Sequence, residues 1–123
     1  MVSLNPPRRL KDPVTLVEVT PGILPEEDVE PLSAYMETAE ALIVSPGTVP
    51  DPFAGHDAWG VRIGIMTDGE WVWDLAWADH VHHHRVAPPR DFIEHARSRG
   101  FEPPEIPLER LEELAIEVGI PQP

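Results

Sequence analysis

Prolines recur from Pro6 to Pro52 and again from Pro88 to Pro123, and between them Phe53 to Ala87 holds none. Proline removes a backbone donor and is poorly tolerated inside helices and central strands, so the most regular structure is expected in that proline-free block. A chain of 123 residues is long enough for one continuous core and short for two, which predicts a single domain. Hydrophobic residues at 41% fit a globular protein.

Within the block the clearest local signal is GVRIGIMTDGEWVWD, residues 60–74. Asp68-Gly69 between two β-rich runs predicts a two-residue hairpin turn, because both residue types tolerate positive φ. Strands 61 to 67 and 70 to 74 follow, with Met66 opposite Trp71, Ile65 opposite Val72 and Gly64 opposite Trp73. Side chains alternate along a strand, so Val61, Ile63, Ile65 and Val72 share one face, and Arg62, Gly64, Met66, Trp71 and Trp73 the other. Both faces are apolar. Such a sheet is either covered on both sides or shows an aromatic surface to a partner, with Trp71 and Trp73 as anchors.

The flanks read as follows. Residues 1–13 carry paired prolines and little to bury, and are expected as a flexible arm ahead of a 14–123 domain. Val14 to Val19 suits a strand. Pro31 is placed in the first turn of a helix running to about Thr38, after the acidic segment 25–30, with Leu32, Tyr35, Met36 and Ala39 towards the core. Ala41 to Val44 predicts a short strand ended by a turn at Ser45-Pro46-Gly47, and Thr48 to Gly60 an irregular loop. Asp74 is expected to cap a helix from Leu75 to about His84. A second helix spans Pro89 to Arg99, closed by Gly100 with Phe101 folding back. A third, Pro107 to Val118, has an apolar stripe of Leu108, Leu111, Leu114, Ala115 and Val118. The fold class is α+β: a small antiparallel sheet containing the 61–74 hairpin, packed by about four helices.

DHVHHHR, residues 79–85, concentrates four of the six histidines. On a helix His80, His83 and His84 fall on one side and His82 on the other. The i, i+4 pair His80 and His84 has a spacing that metal sites use, but a zinc centre needs at least three protein ligands, and His56, Asp57 or His95 would have to supply one from elsewhere. The competing reading is a helix end whose free carbonyls and dipole favour donors and cations, Arg85 included. Protonating all six histidines would take the net charge from -13 to -7 and weaken any interaction driven by acidity. Arg85, Arg90, Arg97 and Arg99, interleaved with Asp91 and Glu94, suit a solvated helix face or an anion site. The serines lie in no nucleophile motif, and no catalytic residue or cofactor is indicated.

Charge is distributed unevenly. Between Asp12 and Val61 there is no Lys or Arg, while Asp12, Glu18, Glu26, Glu27, Asp28, Glu30, Glu37, Glu40, Asp51 and Asp57 are all acidic. A polyanion such as nucleic acid is disfavoured, because its binding depends on cations. A basic protein partner is favoured, and acidity that only confers solubility is the alternative. There is no cysteine, which points to a reducing compartment. The longest stretch free of Asp, Glu, Lys and Arg is Ala41 to Pro50, too short to span a membrane. Arg8-Arg9 is followed by Asp12, Pro13 and Glu18 where an export signal would be apolar. The cytoplasm is the expected location.

The run RIGIMTDGEWVWDLAWADHV followed by FIEHARSRGFEPP resembles small α+β proteins, of unknown or immunity-like function, encoded beside toxin genes in high-GC bacteria. Those proteins share a T-D-G-x-W-V-W hairpin, a helix, and a second helix ending in R-G-[FY]; the likeness covers residues 32 to 104. Asp79-His80 stands where an aromatic pair is expected, and Arg85 where a glycine would end the helix. One Lys against eight Arg suits a high-GC source. The resemblance implies inhibition by binding, and no catalytic residue transfers with it. Glu26, Glu27, Asp28 and Glu30 are the candidate electrostatic contacts to a basic toxin. A metal-binding protein or metal-dependent enzyme centred on His80, His83 and His84 is the alternative.

Overall fold

The computed structural model describes residues 2–53 and 60–120. They form an α+β fold of four helices with a two-stranded and a four-stranded antiparallel sheet. In chain order the elements are β1 (Val2–Leu4), β2 (Arg8–Arg9), β3 (Val17–Val19), α1 (Glu26–Thr38), β4 (Glu40–Pro50), β5 (Gly60–Thr67), β6 (Trp71–Asp74), α2 (Ala76–His84), α3 (Arg90–Ser98) and α4 (Leu108–Val118). The larger sheet has the order β2-β6-β5-β4, and β1 pairs with β3.

Residues 2–13 are not a loose arm. Val2–Leu4 pairs antiparallel with Val17–Val19, and Arg8 and Arg9 pair with Val72 and Trp71. The prolines between these strands leave enough free donors for short ladders at the edge of a sheet, where proline is tolerated. The indole N–H of Trp77 also donates to the Asn5 carbonyl at 2.8 Å.

Helix α1 begins at Glu26, so Pro31 sits inside it and not in its first turn. Glu26, Glu27 and Asp28 fill that turn, where the dipole favours them. Proline deprives only the Glu27 carbonyl of its helical partner, and Glu27 is exposed to water. Leu32, Tyr35, Met36 and Ala39 are buried as the periodicity predicts.

Strand β4 runs through the expected turn at residues 45–47 and continues to Pro50. Pro46 and Gly47 are accommodated as a bulge between the Ser45↔Ile63 and Thr48↔Arg62 pairs, with Gly47 at φ +89°. Helix α3 closes as expected: the N–H of Phe101 reaches the Ala96 carbonyl and that of Gly100 the Arg97 carbonyl, a Schellman ending. Asp74 does not cap α2. It is the last residue of β6, and the next N–H, that of Leu75, donates to the Gly64 carbonyl, so the strand ladder carries the chain to the edge of the helix.

The hairpin register differs from the expected one by two residues: Met66 faces Trp73, Ile65 faces Asp74 and Thr67 faces Val72. The connection between the two strands is therefore the three residues 68–70, wider than a two-residue turn. Asp68 lacks the positive φ that a two-residue turn of the Asp-Gly type requires, and Gly69 alone has it. The side chains complete the turn instead. Asp68 Oδ1 accepts the N–H groups of Glu70 and Trp71 at 2.9 and 2.8 Å, while Thr67 Oγ1 donates to the Trp71 carbonyl and accepts from Gly69.

A shift by two preserves which side chains share a face, and the two faces have different neighbours. Met66, Trp71 and Trp73 pack with Leu32, Tyr35, Met36, Trp77, Val81, Val86, Phe92 and Ala96 in the main core. Phe92 lies edge-on to Trp71, Trp73 and Tyr35 at 5.1–6.2 Å between centroids. Each such side chain contributes about 1.5–3 kcal/mol by leaving water. Gly64 is needed on this face, since a Cβ there would lie 2.9 Å from the Ile43 carbonyl oxygen and against Leu75. Val61 and Val72, on the opposite face, are also buried. In α4, Leu114 and Ala115 are buried and Leu111 and Val118 half-buried, but Leu108 is exposed at the first turn, against the expected stripe.

Candidate functional site

The histidine run occupies the second half of α2, and its members fall into two environments, His80 and His84 beside Phe53, and His82 and His83 at a groove. His80 is 2% exposed, edge-on to Phe53 at 5.3 Å and to Trp77 at 6.0 Å, and its Nδ1 has no hydrogen-bond partner. Burial lowers its pKa, against the pull of Asp51. His84 Nε2 meets Asp51 Oδ2 at 2.7 Å. Burial raises the proton affinity of Asp51, but His84, the Phe53 N–H and nearby His80 outweigh it, so that its pKa falls below the usual carboxylate value. His82 and His83 are exposed beside a polar groove of about 260 Å³ that also contains Ser33, Glu37, Arg62 and Asp79.

Donors from the histidines are not what satisfies the end of α2. The backbone N–H of Gly22 takes the His84 carbonyl, and those of Ile23 and Leu24 take the Arg85 carbonyl. Arg85 adopts the left-handed conformation, φ +51°, that glycine would favour, and its Nε donates to the Leu24 carbonyl at 2.8 Å. Of the further ligands considered for a metal, His95 is bound to Asp68, and His56 and Asp57 lie outside the described residues. Among the described residues no group of three or more His, Asp or Glu is disposed to hold a metal ion.

A second polar cluster, absent from the sequence-based reading, surrounds the hairpin loop. Asp68 is 2% exposed; its Oδ2 accepts the Tyr35 hydroxyl at 2.5 Å and lies 2.8 Å from His95 Nε2. Glu70 approaches His95 and Arg99 at 3.4 and 3.5 Å. Burial, and then the Asp68 carboxylate, push the Tyr35 phenol well above its ordinary pKa. The Asp-Gly dipeptide signals a turn, but nothing local in it signals that the aspartate points inwards.

Trp71 and Trp73, considered as partner-binding anchors, are 4% and 3% exposed. The Trp73 indole donates to the Met36 carbonyl at 3.1 Å, and Trp71 lies under Arg9 at 4.6 Å. Both are core residues, because α1 and α3 cover their face of the sheet.

The four candidate acids of α1 divide into two pairs. Glu26 reaches Arg85 at 3.8 Å and Asp28 reaches Arg97 at 3.4 Å, whereas Glu27 and Glu30 are exposed and have no ion pair among the described residues. Further along, Arg62 binds Asp79 through Nε and Nη2 and Glu37 through Nη2 at 3.0 Å. The Asp79 carboxylate also accepts the Arg62 backbone N–H at 2.9 Å, tying α2 to β5. These ion pairs join residues 17 or more positions apart, so spacing along the chain could not reveal them.

No family model matches the chain, and neither a curated protein nor a solved structure matches it. Among the described residues no helix is long and apolar enough to cross a membrane.

Proposed function

We propose that the protein is a non-catalytic binding protein of the cytoplasm that covers a basic surface on another protein, in the manner of an immunity or antitoxin-like inhibitor of a toxin enzyme. One observation carries this reading: the arginines are largely committed within the chain while the acids are not. Arg9, Arg62, Arg85, Arg97, Arg99 and Arg110 each lie in an ion pair with Asp or Glu. With a net charge of -13, that arrangement leaves a surplus of carboxylates facing water, Glu27 and Glu30 on α1 among them. Complementary charge accelerates encounter and disfavours acidic partners. The sequence resemblance to immunity-like proteins points in the same direction.

The test is binding to the basic protein encoded by a neighbouring gene, measured from low to high salt. Affinity is expected to fall steeply as salt rises, and Glu27→Lys with Glu30→Lys to slow association by about tenfold or more. Binding that ignores both salt and these reversals, or enzyme activity left untouched by saturating protein, would overturn the reading.

A further inference from the structure

Helices α1, α2 and α3 all build the core on the Trp71 and Trp73 face of the larger sheet. The opposite face has one helix among the described residues, α4, whose Val118 lines a cavity of about 200 Å³ with Ile65 and Val72. A sheet that is apolar on both faces needs cover on both, and α4 gives only part of it. Ile63 and Ile65 remain half-buried. On β4, the edge strand against which α4 packs, Ile43 and Val49 are 43% and 45% exposed, on the same face as their partners Ile65 and Val61.

The outer side of α4 continues this apolar surface. Leu114 and Ala115 turn inwards, while Leu108, Glu112 and Ile116, spaced by four, form one ridge towards solvent. Leu108 is 70% and Ile116 64% exposed. Glu109, Glu113 and Glu117 form the neighbouring ridge. Scattered apolar side chains at a surface are ordinary, but two on one ridge, on the side of the molecule where the sheet is incompletely covered, mark a contact surface.

Charge selects the occupant. Arg110 is the one cation of α4 and is held by Glu113 and Glu117 at 2.9 and 3.7 Å, whereas Glu109 and Glu112 have no ion pair among the described residues. Arg8 shares the cavity with Val118, on the inner side of the helix, and its guanidinium donates to the Leu10 and Asp12 carbonyls. A second copy of this chain would set α4 against α4 across a two-fold axis, bringing the glutamate ridges together in a protein of charge -13. A basic amphipathic helix instead offers apolar side chains to the ridge and cations to the free glutamates, and supplies the missing layer over the sheet. We propose that the outer side of α4, with the adjoining β4, docks a basic amphipathic helix of a protein partner, its apolar stripe on Leu108 and Ile116 and its cations on Glu109 and Glu112. The partner's basic character is that of the inhibitor reading, on which this inference rests, but the surface lies across the sheet from the acids of α1.

The probe is a synthetic Leu/Lys peptide of amphipathic helical periodicity, compared with a Leu/Glu peptide of the same periodicity and a Leu/Lys peptide of scrambled order. Each is titrated into the full chain by calorimetry and amide NMR at about 0.15 M salt. Saturable one-to-one binding of the Leu/Lys helix alone is expected, with resonance shifts confined to α4 and β4. Leu108→Ser with Ile116→Ser is expected to weaken it by about tenfold or more. Glu109→Gln with Glu112→Gln is expected to weaken it and flatten its salt dependence, and Glu27→Lys with Glu30→Lys to change it by less than about twofold. All these side chains are exposed or half-buried at the surface, and unchanged urea midpoints show that the variants fold. The proposal fails if the scrambled or Leu/Glu peptide binds as tightly, if the shifts fall on α1, or if the Leu108 and Ile116 variant binds like the wild type. It also fails if the wild type is a dimer that this variant converts to monomer. Binding of the peptide at α4 without binding of the basic neighbouring protein removes the inhibitor reading alone; binding of that protein without the peptide removes this proposal alone.

Discussion

The Tyr35 hydroxyl donates to Asp68 at 2.5 Å and thereby joins α1 to the hairpin loop, 33 residues later in the chain. The same carboxylate receives two backbone N–H groups of its own loop and meets His95 of α3. One side chain thus sets the register of the hairpin and docks two helices on it. Asp68→Ala removes an acceptor from several buried groups at once and should cost about 3 kcal/mol or more, since each abandoned group loses its partner in the interior. Tyr35→Phe leaves Asp68 its other donors and should cost about 1–2 kcal/mol. Urea unfolding of the two variants checks the order, and a Tyr35→Phe cost equal to that of Asp68→Ala would show that the phenol alone matters.

The environment of Tyr35 has a spectroscopic consequence, because it is the chain's only tyrosine. Burial and the facing carboxylate raise its folded-state pKa above the ordinary value of about 10. A raised pKa contributes stability that is complete below the unfolded value and declines as pH climbs above it. In alkaline titration the phenolate absorbance band should therefore appear together with loss of the near-ultraviolet circular dichroism and not before it. Phenolate forming at about pH 10 in a protein that is still folded would contradict the buried contact.

The sequence made some of this legible and concealed the rest for identifiable reasons. The two faces of the hairpin were assigned correctly despite the wrong register, because the error was two residues and side chains alternate with that period. A two-residue Asp-Gly turn requires positive φ at both positions, whereas Asp68 turns its carboxylate inward and Gly69 alone has positive φ. Helical periodicity put Leu32, Tyr35 and Met36 in the core, as found. It also put His80 and His84 on one side of α2, but spacing gives no indication that Asp51, from a proline-rich stretch of β-structure and loop, receives His84. The acids of α1 looked equivalent in sequence. Arg85 and Arg97, far along the chain, make them unequal.

The Asp51 contact sets an acid limit. Its pKa is lowered in the folded protein: burial opposes this, and His84, the Phe53 N–H and His80 together prevail. A lowered carboxylate pKa contributes stability above the unfolded value of about 3.9, and that contribution disappears as pH falls through the lower folded value. Asp51→Asn should be less stable than the wild type at pH 7, with the difference shrinking below about pH 4. Urea midpoints of both proteins across this range are the measurement, and a gap that stays constant into strong acid would rule out the ionised carboxylate as its source.

The pairing of Asp28 with Arg97 separates stability from association. With Arg97 54% exposed, the pair contributes at most about 1 kcal/mol to folding, since solvent screens it and the long side chain loses entropy. Its effect on the electrostatic field is not reduced in the same proportion, because a cation there offsets part of the charge around Glu27 and Glu30. Arg97→Ala should leave the unfolding midpoint nearly unchanged and raise the association rate with a basic partner by a few-fold at low salt, with the gain vanishing at high salt. Stopped-flow association at two salt concentrations distinguishes the outcomes. If Arg97→Ala slows association, Arg97 contacts the partner itself, and the acidic end of α1 is not the surface that meets it.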